Sequence, residues 1–132
     1  MASELRVDTL KDASGNNSVG LSYVANGSAK AWSNLDGTGT SSVIDSFNIS
    51  GMTDNGTGDY TNTISSNLSN GNYAVTISYG NQTGSWAAQA NGQLKYASTP
   101  AAGSYSLTTG NSINGTLNDF DRIHSAIHGD LA

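Results

Sequence analysis

Thr53-Asp54-Asn55-Gly56-Thr57-Gly58-Asp59-Tyr60 lies between two stretches in which apolar residues alternate with polar ones. Ahead of it Val43, Phe47 and Ile49 hold odd positions; behind it Tyr60 and Ile64 share one parity. Side chains on a strand point to opposite faces in turn, so same-parity apolar residues make one half-buried face. Asn55-Gly56 offers the positive φ angles that a tight reversal between strands demands. The stretch predicts a β-hairpin.

Outward from this hairpin the chain repeats the recipe. Leu5 and Val7 alternate with Arg6 and Asp8, Ser14-Gly15-Asn16-Asn17 forms a polar turn, and Val19, Leu21 and Tyr23 resume the alternation until Asn26-Gly27-Ser28. Further on, Asp36-Gly37-Thr38-Gly39 turns the chain, and Tyr73, Val75, Ile77 and Tyr79 mark the cleanest strand, with Ala74, Thr76 and Ser78 on its other side. Trp86-Ala87-Ala88 and Leu94-Lys95-Tyr96 read as a pair turning at Asn91-Gly92; Tyr105 and Leu107 mark another strand, followed by a loop over 111–118. In the last run Ile123, Ser125 and Ile127 oppose Arg122, His124, Ala126 and His128. No window has a helical period. The pattern predicts an all-β chain: an antiparallel, sandwich-like outer domain over residues 29–132, preceded by a short extended β segment over residues 1–28. That segment has too few apolar side chains to fold alone, so it is expected to pair with another subunit or dock on a larger body.

Composition narrows the function. The chain has 132 residues, 11% of them charged, with a net charge of −5 and five scattered Lys and Arg. Phosphate binding needs clustered cations, so nucleic acid is an unsuitable partner. No apolar run approaches spanning length, so no membrane insertion is expected. There is no cysteine and therefore no disulfide framework or Cys-based zinc site. Gly, Ser, Thr and Asn make up close to half of the residues, and the 36% apolar content is lean for a monomer. Sharing a core between subunits would remedy that.

Several phrases, in order, resemble those of tail-fibre and related virion proteins of marine and freshwater bacteriophages. They are Val7-Asp8-Thr9-Leu10, Ala25-Asn26-Gly27-Ser28-Ala29-Lys30-Ala31-Trp32, Asp36-Gly37-Thr38-Gly39, Asp45-Ser46-Phe47-Asn48, Asp54-Asn55-Gly56-Thr57-Gly58-Asp59-Tyr60 and His128-Gly129-Asp130-Leu131. The resemblance implies a structural virion protein, made in the host cytoplasm, homotrimeric and β-rich at its distal end. The outer domain follows Met1 within about thirty residues, so a short fibre or tail-tip protein is expected rather than a long shaft. A capsid decoration or head-fibre protein is the alternative, and a carbohydrate-binding module a further one. The expected partners are the chain itself, other virion proteins held through Leu5, Val7, Leu10, Val19 and Leu21, and a host surface glycan.

Candidate chemistry is sparse. His124 and His128 share one strand face but lie roughly 13 Å apart, at about 3.3 Å per residue, so a single subunit does not hold one ion with both. In a trimer each position could form an axial ring of three imidazoles able to take a metal ion, but ordinary exposed or packed histidines are the favoured account, and no cofactor is expected. Asp119 with Asp121, and Asp54 with Asp59, are carboxylate pairs of the kind used in glycoside hydrolysis, yet each lies at a turn where Asp bonds backbone N–H groups. With no nucleophile motif present, no enzyme activity is expected. Aromatic rings stack on sugar faces, and Trp86, Tyr96 and Tyr105 are the candidate receptor contacts, within residues 80–103 and just beyond.

Overall fold

A computed structural model describes residues 6–80 and 90–132. Leu5 and Trp86 lie outside the described residues. Among the described residues ten strands and one short helix follow in the order β1 (Thr9–Lys11), β2 (Ser18–Gly20), α1 (Leu21–Gly27), β3 (Ala31–Asp36), β4 (Ser42–Phe47), β5 (Ile49–Gly56), β6 (Asp59–Ile64), β7 (Ala74–Gly80), β8 (Ala90–Leu94), β9 (Ser104–Asn111) and β10 (Arg122–His128). β3 to β10 form two antiparallel four-stranded sheets, ordered β4-β3-β10-β7 and β5-β6-β9-β8. Their facing sides enclose one core, containing Leu35, Tyr60, Ile64, Leu68, Tyr105, Leu107, Phe120, Ile123 and Ile127. The fold is an all-β antiparallel sandwich.

The strictly alternating strands lie as the sequence predicts. Along β10, Ile123, Ser125 and Ile127 are buried while Arg122 and His124 are exposed; along β7, Val75, Ile77 and Tyr79 are half-buried while Ala74, Thr76 and Ser78 are exposed. The core residues named above cluster within one chain.

Between the sheets, four polar side chains form a closed square. Asn62 on β6 donates through Nδ2 to the Ser33 hydroxyl at 3.0 Å and the Tyr105 hydroxyl at 2.8 Å. Ser125 on β10 completes it, 2.8 Å from Ser33 and 2.6 Å from Tyr105. Each sheet supplies two corners that face one another across adjacent strands. The square therefore ties the sheets together with directional bonds, where an aliphatic layer would tie them by contact alone.

Four local expectations need correction. The hairpin of β5 and β6 pairs Gly56 with Asp59, so the turn is Thr57-Gly58, two residues beyond the predicted Asn55-Gly56. Gly56 (φ 130°) and Gly58 (φ 62°) supply the positive angles, while Asn55 falls in a bulge and bonds Thr61 Oγ1 at 2.9 Å. Val43 and Phe47 are not on the strand of Ile49. Asn48 (φ 55°) sends the chain from one sheet to the other, its Nδ2 donating to the carbonyls of Lys30 and Ser66 and its Oδ1 accepting from Ser66 N–H. Asn91-Gly92 is interior to β8 rather than a turn; a Cβ at Gly92 would collide with Ile77 Cγ2 across the core. Finally, Leu21 begins a helix, because three alternating residues are too short a window to separate strand from helix.

Residues 6–30 contrast with the sandwich. β1 and β2 pair as a small hairpin whose Asp12 turn is bonded by Ser14, Asn16 and Asn17. No residue of 6–30 is buried, and Leu10, Val19, Tyr23 and Val24 are exposed.

Two glycines distinguish strain from freedom. Gly58 has a left-handed φ, and a Cβ there would land on the Thr109 carbonyl oxygen and within 2.9 Å of Asn118 backbone atoms; Gly51 has open space around it. Gly58→Ala is expected to lower unfolding free energy by about 2 kcal/mol or more, and Gly51→Ala to leave it within about 1 kcal/mol or raise it. Urea titration of the two variants checks this; equal losses would refute the assignment of strain to Gly58.

Candidate functional site

β10 runs through the middle of its sheet, so the side chains on its outer side are presented to whatever meets that face. His124 and His128 lie there together, as their spacing predicts. His124 stands between Asn34 and Ser78 in register, its Nδ1 3.5 Å from Ser78 Oγ. Among the described residues no group of three or more His, Asp or Glu side chains is assembled that could hold a metal ion.

At the end of β10, His128 borders a small polar recess of about 180 Å³. Asn26 at the close of α1, Asn70, Asn72 and Tyr73 ahead of β7, and Asp130 line the rest. The local folding is turn chemistry: Asn70 Oδ1 accepts the Asn72 N–H at 2.7 Å, and Ser69 N–H donates to the Asp130 carbonyl at 2.8 Å. Tyr73, which also lines the recess, is anchored by its hydroxyl, whose one proton is shared between the Ala101 and Ser104 carbonyls, each at 3.0 Å. Amides, an imidazole and a carboxylate beside an aromatic ring can bind a hydroxyl-rich ligand. Only His128 of this set was legible as a site residue. The asparagines look like turn formers in sequence, and only the crossing of three chain segments brings them together.

The predicted aromatic contacts separate. Tyr96 follows β8 and is 91% exposed, next to a tight turn in which Ser98 N–H donates to the Lys95 carbonyl at 3.1 Å and Ala97 takes φ 60°. Tyr105 is 1% exposed and its hydroxyl is a corner of the buried square, so its ring is not offered to a receptor. Trp32 is among the aromatics the sequence offers for stacking on sugar; Phe47 and Tyr23, 54% and 76% exposed, are not singled out by it. Trp32, 37% exposed, and Phe47 are cross-strand partners on the outer face of the β4-β3-β10-β7 sheet. Nothing in the sequence announces their pairing, because the β3–β4 register contains a bulge at Asn34.

Of the predicted attachment residues, Val7 is half-buried, Leu10 on β1 and Val19 on β2 are exposed, and Leu21 is half-buried at the start of α1. All lie on the N-terminal arm, outside the sandwich core.

The carboxylates have structural partners. Asp119 Oδ1 accepts the Tyr60 hydroxyl and the Gly58 N–H, both at 2.6 Å, which fastens the β5–β6 turn to the segment entering β10. Asp59 pairs with Lys95 at 2.6 Å. Asp54 accepts the Ser41 hydroxyl at 2.7 Å and the Gly56 N–H at 2.9 Å, and these bonds hold its carboxyl below the usual range. The geometry of each is that of a turn or strand tie.

Burial, followed by the Asp119 carboxylate, pushes the Tyr60 hydroxyl far above the ordinary phenol value; burial also pushes Tyr73 up to about 12. Unfolded tyrosine loses its proton near pH 10. Above that pH the unfolded chain binds fewer protons than the native one, so stability falls as pH rises. Unfolding free energy is expected to decline between about pH 10 and 12, and Tyr73→Phe to reduce the slope. Chemical denaturation at stepped pH measures it; a flat profile in wild type would contradict the buried, protonated tyrosines.

Among the described residues no helix is long and apolar enough to cross a membrane. Compared with protein-family models, with curated proteins and with solved structures, the chain matches none.

Proposed function

We propose that this chain is a non-enzymatic structural component of a bacteriophage particle, a short tail fibre or tail-tip protein built from three copies. The observation that carries the reading is the division of labour along the chain. A closed sandwich supplies its own core, while residues 6–30 contribute no buried side chain and leave Leu10, Val19, Tyr23 and Val24 uncovered. An arm of this kind is suited to capture by another virion protein, where its apolar side chains leave water. The sandwich then points outward. Tyr96 and the recess around His128 supply an aromatic ring and polar side chains for a host surface glycan.

Chemistry favours adhesion over hydrolysis, since Asp54, Asp59 and Asp119 hold turns together. If three copies turn β10 toward a common axis, rings of His124 or of His128 become available to a metal ion. A capsid decoration or head-fibre protein uses the same arm and the same sandwich, and differs in the partner that receives the arm.

Two measurements test the proposal. The mass of the full chain in solution is expected to be that of a trimer. Removal of residues 1–28 is expected to leave the thermal transition of the sandwich within about 3 °C, because no core residue is lost, while abolishing incorporation into particles followed by immunogold labelling. Particles that retain the shortened chain would overturn the role of the arm; label on the capsid rather than the tail would select the alternative location.

A further inference from the structure

The outer face of the β4-β3-β10-β7 sheet is divided into unlike halves. Register places Phe47, Trp32, Ala126 and Thr76 in one row across the four strands, and Asp45, Asn34, His124 and Ser78 in the next. A third row begins Ser42, Asp36 and ends Arg122, Gly80, with the Arg122 charge close enough to lower the Asp36 pKa, after the larger effect of the Thr38 hydrogen bonds. Bulk therefore stands on the β4-β3 half, in Phe47 and Trp32, and small side chains on the β10-β7 half, in Ala126 and Thr76. Charge divides along the same line, with Asp45 and Asp36 on one side and Arg122 on the other. β4 itself is an edge strand with no buried residue, carrying Val43, Ile44 and Phe47 and neither lysine nor proline. Asp45 and the bulge against β3 guard that edge against strand addition.

We propose that this face is where copies of the chain meet, with the β4-β3 half of one copy laid over the β10-β7 half of the next. Packed sheets lie about 10 Å apart, which lets a Trp32 ring rest on the shallow ground above Ala126 of the other copy. Asp36 then faces Arg122 across the contact. Laying like halves together would instead set Trp32 against Trp32 and Asp36 against Asp36. The charge complementarity and the pairing of large with small identify the occupant as a second copy of this chain rather than an unrelated partner. The inference rests on the reading above only in that the chain assembles with itself.

The test uses the full chain in sedimentation equilibrium. Trp32→Glu is expected to weaken association by about 30-fold or more while leaving the circular dichroism spectrum unchanged, since the position is on the surface. In a Trp86→Phe background, the emission of Trp32 is expected to move to the blue as concentration rises. Arg122→Asp and Asp36→Arg copies are each expected to associate poorly alone and to associate when mixed, a result that contacts within one chain do not produce. Persistence of the wild-type assembly in Trp32→Glu would overturn the face while leaving self-assembly intact. Failure of the mixed copies to recover would overturn the pairing of unlike halves. A monomeric wild type at about 100 µM, a concentration at which even a weak specific pair associates, would overturn both this inference and the trimer.

Discussion

The buried square of Ser33, Asn62, Tyr105 and Ser125 is the constraint on which the molecule depends. A chain so rich in Gly, Ser, Thr and Asn cannot fill the space between two sheets with aliphatic side chains alone. It uses the hydroxyls and amide that its composition supplies, and it closes them on each other at 2.6–3.0 Å. Net, each such bond contributes about 1 kcal/mol, but a missing partner costs more than the bond gives, because the orphan remains dry. The arrangement is consequently all-or-none: the sheets must meet in one register for any corner to be satisfied. One site, the Asn62 Oδ1, stays without a partner even so. The square therefore specifies the pairing of the sheets more than it adds to their stability.

That constraint has consequences for the surface. Tyr105, which a glycan-binding reading would place outside, is drawn in because a buried tyrosine needs a partner for its hydroxyl and the square provides one. Tyr60 is drawn in for the same reason, with Asp119 as acceptor. The aromatics left over, Trp32, Phe47, Tyr23 and Tyr96, are then surplus to the core. They are distributed over the arm, the outer sheet face and the turn after β8.

Strands that alternate without interruption were legible in the sequence. β7 and β10 keep a two-residue period along nearly their whole length, whereas β9 alternates only through Leu107 and is buried on both faces beyond it. Legibility failed where a single side chain redirects the backbone. Asn48 looks like any turn residue, yet its amide reaches Lys30 and Ser66 and moves the chain between sheets. Gly92 looks like half of an Asn-Gly turn, yet its missing side chain is space for Ile77. The site residues failed similarly. His124 and His128 could be placed on one face from their spacing, whereas the recess of Asn26, Asn72 and Asp130 and the Trp32–Phe47 row depend on which strands become neighbours, and periodicity carries no information about that.

A double-mutant cycle on Tyr105→Phe and Ser125→Ala addresses the square most directly, because the two substitutions delete the two oxygens of its shortest side and little else. Urea unfolding of the four proteins gives the coupling. A closed network predicts an interaction of about 1 kcal/mol or more between the two positions, whereas free energies that add to within about 0.3 kcal/mol would contradict it.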